Sequence, residues 1–117
     1  MHILGTEYTL AYSNENEDPM LKTCDGYCDK TTRRIVVSEK MKDCDLGDFD
    51  EYQKKVTRHE IIHAFLFESG LHGDAIYKTD SQEHPEMLID WFAVQFPKIL
   101  IVFRDANVLP KEMEDTE

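Results

Sequence analysis

Residues 57–70, TRHEIIHAFLFESG, place two histidines four positions apart, with a glutamate between them, inside an otherwise apolar run. On an α-helix, four residues advance about 6 Å along the axis and about 40° around it. His59 and His63 would therefore project side by side and could reach one cation. Glu60 would stand one residue on, close enough to touch a water held by that cation. This is the H-E-x-x-H arrangement, in which two histidines hold zinc and the glutamate is the general base. Shuffled chains of this composition carry it by chance only about 2% of the time.

The flanking residues support a helix over 48–70. Asp48 is a good N-cap, and Glu51 three residues later gives a capping-box pattern. Tyr52, Val56, His59, His63 and Leu66/Phe67 recur at helical spacing, and Gly70 suits a left-handed C-cap. The bland alternative is a core helix with two histidines, which leaves the carboxylate of Glu60 without an explanation.

A catalytic zinc takes three protein ligands and keeps a fourth position for water. The continuation H-E-x-x-H-x-x-G-x-x-H needs glycine at 66 and histidine at 69, whereas the chain has Leu66 and Ser69. His72 and His84 are possible third ligands, although His72 follows the helix stop by two residues. The segment EMLID offers Glu86 and Asp90, four apart on one helical face. Asp90 could accept the remaining ring N–H of a ligand histidine and fix its orientation. Two solvated helix acids at that spacing are the competing explanation.

The rest of the chain sets the frame. Its 117 residues fit one domain with a modest core. A net charge of −11 and a single adjacent arginine pair, Arg33 and Arg34, argue against nucleic acid as a partner. No apolar run approaches the ~18 residues that would span a bilayer. The start MHILGTEYTL lacks a basic and apolar leader, so a cytoplasmic protein is the default expectation. Cys24, Cys28 and Cys44 are an odd number and are expected as reduced thiols. Cys24 and Cys28 could be soft metal ligands, but no second such pair completes a zinc ribbon.

Residues 1–47 read as mainly β. Residues 3–12 are rich in strand formers, and 13–19 are a polar loop. LKTCDGYCD and RRIVVS flank KTT as an antiparallel hairpin, with Gly26 marking a bulge. Residues 71–83 read as a loop, and 84–108 as helical, with Pro85 in a first turn. Pro97 is expected to kink or restart that segment, so that a separate C-terminal helix follows. The eight aliphatic or aromatic residues between Phe92 and Phe103 are expected to build core, and 109–117 to form a frayed acidic tail.

HEIIH followed by EMLID resembles the gluzincins, zinc peptidases with a glutamate as third ligand and an E-x-x-x-D helix. DGYCDKTTRRIVVSE, RHEIIHAFLFESGL and EMLIDWFAVQFPKI are similar to short phage- or prophage-encoded minigluzincin-like proteins, near the ImmA/IrrE-type metallopeptidases. The resemblance covers about residues 24–103. It implies an α+β, zincin-like fold whose small sheet, containing antiparallel strands, lines the cleft with an edge strand. It also implies His59, His63 and Glu86 as ligands of one Zn2+ per chain, Glu60 as base and Asp90 behind the ligands. The chain shows no separate helix-turn-helix or sensor segment, so the regulatory roles of larger relatives are not implied.

The expected function is zinc-dependent hydrolysis of peptide bonds in a peptide or protein substrate. A water held by zinc would attack, and Glu60 would move its proton. The strand RRIVV could pair with an extended substrate. His72, Tyr77 and His84 are candidates to steady the oxyanion, and nothing in the sequence selects among them. The alternative is a non-catalytic zinc-binding phage or prophage protein that binds a partner or host regulator. Oligomeric state is not readable from the residues.

Overall fold

The computed structural model describes residues 1–40, 44–71 and 86–113, in which two helices lie with a three-stranded sheet and a small hairpin. The fold is α+β, as expected. The hairpin pairs β1 (His2–Ile3) with β2 (Thr6–Glu7). Leu4 and Gly5 both have positive φ, +50° and +88°, the backbone of a two-residue turn that follows strand twist. Residues 3–12 are therefore not one strand: this turn splits them, and β3 begins at Thr9 and runs to Ser13.

The sheet has the order β3-β5-β4, with β4 at Gly26–Asp29 and β5 at Arg34–Ser38. β4 and β5 form the expected antiparallel hairpin, and β3 runs parallel to β5 on its other side. Asp29 makes the hairpin turn by accepting from the backbone N–H of Thr31 at 2.9 Å and of Thr32 at 3.3 Å. Gly26 pairs in regular register with Val37, so it marks no bulge. β5 is the central strand, with Ile35, Val36 and Val37 all buried, the unbroken apolar run of a strand covered on both faces.

α1 spans Phe49–Glu68. Asp48 caps it by accepting from the Glu51 N–H at 3.2 Å. Glu51 does not return the bond; its Oε1 instead accepts from the Lys111 N–H at 3.0 Å. Gly70 takes φ +77°, and the N–H groups of Gly70 and Leu71 close on the carbonyls of Phe67 and Leu66, a Schellman ending. Ile61, Ala64 and Phe65 face a core that contains Ile3, Tyr8, Ile35 and Val37.

α2 spans Glu86–Asp105 as one helix with Pro97 inside it. The expected break, with a separate C-terminal helix after it, does not occur. The core-facing stripe Leu88, Trp91, Ile99, Val102 keeps helical spacing across the proline, and Pro97 itself lies on the exposed side. The apolar stretch is only partly core, since Phe92, Val94, Phe96 and Ile101 are exposed. Asn107, at φ +59°, ends α2 with the same bonding pattern as Gly70. Val108 and Leu109 after it are buried, and Arg58 donates to the Val108 carbonyl at 2.6 Å, so the start of the expected tail, at Leu109, is docked. Residues 114–117 lie outside the described residues. No helix among the described residues is long and apolar enough to cross a membrane.

Two side-chain ties fix the layers. Glu68 accepts from Thr6 Oγ1 at 2.7 Å and from Tyr8 Oη at 2.8 Å, clamping the N-terminal hairpin to the end of α1. Trp91 Nε1 donates to Ser69 Oγ at 3.0 Å, pinning α2 to that same end.

The hydrogen bonds from Thr6 and Tyr8 hold the Glu68 carboxyl below its ordinary value of 4.5. Its contribution to stability is therefore full above 4.5 and is lost as pH falls through the lower, folded-state value. Glu68→Gln is expected to cost about 1 kcal/mol at pH 7 and nothing at strongly acid pH, read from urea unfolding at both. Pro97→Ala, which restores a helix N–H without unpacking the core, is expected to stabilise by roughly 1–3 kcal/mol at an unchanged m-value.

Candidate metal centre

α1 presents two faces. Thr57, Ile61, Ala64 and Phe65 are buried, whereas His59 is exposed and His63 is half-buried. His59 Nε2 and His63 Nε2 face each other at 3.1 Å, with ring centroids 4.8 Å apart and planes at 70°. Two nitrogens on one tetrahedral zinc stand about 3.3 Å apart when each Zn–N bond is about 2.05 Å. The spacing and the donor type thus fit a borderline divalent ion. Burial, and after it the neighbouring His59, lowers the His63 pKa below its ordinary value, which favours the neutral ring that a metal needs.

Glu60 lies at the border of the two faces, only 7% exposed. Burial raises its carboxyl above the ordinary value, and His59 partly offsets this. It lines a cleft of about 250 Å³ together with His59, Val56, Lys55, Tyr52, Gly26 and Asp25. β4 is the sheet edge on this side. A Cβ built on Gly26 would lie 2.9 Å from Val56 Cγ1, 3.2 Å from the Val36 carbonyl oxygen and 3.4 Å from Glu60 Cγ. The missing side chain is what lets the edge strand lie against the helix beside the carboxylate.

Glu86 opens α2 and Asp90 lies one turn on, immediately before the anchored Trp91. Their side chains, and all of His72, Tyr77 and His84, lie outside the described residues. Among the described residues no three His, Cys, Asp or Glu side chains converge as a metal-holding group. The cysteines, Cys24, Cys28 and Cys44, are unbridged. Cys24 donates to the Met20 carbonyl, and burial first, then the charge of Glu60, push the Cys28 thiol up to about 12. A thiol so reluctant to ionise is a poor metal ligand in the absence of the ion.

Tyr52, expected only as a position of the helical pattern, and Lys55 both line the cleft. Their helical offset from His59, seven and four residues, was the available signal. RRIVV is the other correction: as the central strand its two edges are already paired, and β4 is the strand with an edge beside the cleft. No family model matches the chain, and neither a curated protein nor a solved structure matches it.

The close approach at Gly26 gives a direct test. Gly26→Ala is expected to destabilise by about 1–3 kcal/mol through overpacking. Adding Val56→Ala should recover part of that loss in a double-mutant cycle measured by urea unfolding.

Proposed function

We propose that this chain is a zinc-dependent metallopeptidase of the gluzincin kind, with a zincin-like arrangement of its α+β fold. The observation that carries the reading is the facing pair of imidazole nitrogens at 3.1 Å, with the buried Glu60 beside them in an open cleft. His59 and His63 would hold the ion, and Glu86, at the start of α2, would be the third ligand. Zinc, when bound, supplies a Lewis acid for the scissile carbonyl and lowers the pKa of water to about 7.

Glu60 would take the proton of the attacking water and pass it to the leaving amine. Its burial makes the carboxylate more basic than an exposed glutamate, which suits that task. Asp90 would orient a ligand histidine through the ring nitrogen that faces away from the ion. The edge of β4 is the strand that an extended peptide would join, leaving its side chains to alternate between cleft and solvent. The burial of Glu60 favours an enzyme over a binding module, because a zinc module that only holds a partner gives that carboxylate no work.

The protein purified without chelator is expected to carry one zinc per chain, and His63→Ala or Glu86→Ala to lose it, by elemental analysis. Glu60→Gln should keep the zinc while cleavage of a peptide library falls by about 10²–10⁴-fold. Zinc-free wild type whose melting temperature ignores chelator would overturn the metal reading. Zinc-loaded wild type that cleaves nothing would leave only the binding module.

A further inference from the structure

A second cavity, about 340 Å³, adjoins the cleft and shares Asp25, Tyr52 and Val56 with it. Val37, Leu46, Phe49 and Val56 give it an apolar part, beside the polar groups of Ser38, Tyr52 and Gln53. Its charged lining residues are Asp25, Glu39 and Asp45, and no lysine or arginine lines it among the described residues. Tyr52 Oη donates to Asp25 Oδ2, which fixes that carboxylate where the two cavities meet. On the same helix Lys54 is drawn to Glu51 at 3.8 Å, and Lys55 lines the adjoining cleft.

Apolar surface beside carboxylates, one of them fixed by Tyr52, suits a side chain that has a long aliphatic stem and a cationic tip. From Glu60 back to Phe49, α1 covers about 16 Å at 1.5 Å per residue. An extended chain in the cleft, rising about 3.3 Å per residue, brings a side chain within about five positions of the Glu60 carboxylate over this cavity. We infer that the cavity is a specificity pocket for lysine or arginine in the bound peptide, with Asp25 as the residue that selects charge. This rests on the cleft being a peptide site, and it does not require that the peptide be cut.

The test is equilibrium binding to the Glu60→Gln variant by fluorescence anisotropy. The probes are labelled peptides identical except for Arg, Leu or Glu placed in turn at each position of an otherwise Ala/Ser sequence. At one position the Arg peptide is expected to bind about tenfold tighter than the Leu peptide, with the Glu peptide weaker than both. Asp25→Asn should narrow the Arg-over-Leu ratio to less than about threefold, and added salt should shrink it further. Equal binding of the three probes, no binding at all, or a ratio unmoved by Asp25→Asn overturns the inference. Arg-selective binding by a wild type that cleaves no peptide would sink the peptidase reading and leave this one standing.

Discussion

One helix has to meet two opposed demands, and the structure is organised around how α1 does so. Its core face must be dry, because Ile61, Ala64 and Phe65 close the hydrophobic core against the sheet. Roughly 170° away around the axis, His59 and His63 must stay reachable. Glu60 falls on the seam, so a group that prefers water is held largely out of it. Its raised pKa is the electrostatic signature of that compromise. The absence of a side chain at Gly26 makes the seam narrow enough to matter.

Much of α1 was legible because its signals are local. The Asp48 cap, the helical spacing and the Gly70 stop each depend on residues within one turn, and each is found where the pattern put it. The β4–β5 hairpin was legible for the same reason. Strand order was not, since it depends on β3 returning from far along the chain to lie parallel beside β5. That placement pairs β5 on both sides and leaves β3 and β4 as the outer strands among the described residues, which moves the cleft edge from RRIVV to Gly26–Asp29.

Pro97 and the C-terminal segment misled for a different reason. Proline weighs about 3 kcal/mol against a helix interior, yet burial of Trp91, Ile99 and Val102 on one stripe outweighs it. The acidic composition after residue 108 suggested fraying, yet as far as Met113, where the described residues end, the chain stays tied to α1 through the Lys111 N–H, just past the Val108 carbonyl held by Arg58. Tertiary contacts overrode local propensity in both places. At the candidate site the pattern brought His59 and His63 together and set Glu60 beside them. Glu86 and Asp90 rest on the placement of α2's backbone.

The bond from Trp91 to Ser69 separates two things that are usually coupled. It fixes the start of α2 against the end of α1 from outside the connection that joins them, while Leu71 closes the near end of that connection. The register of the two helices is thus carried by their own side chains, so loss of the Trp91 indole N–H would loosen the start of α2 and leave the end of α1 capped.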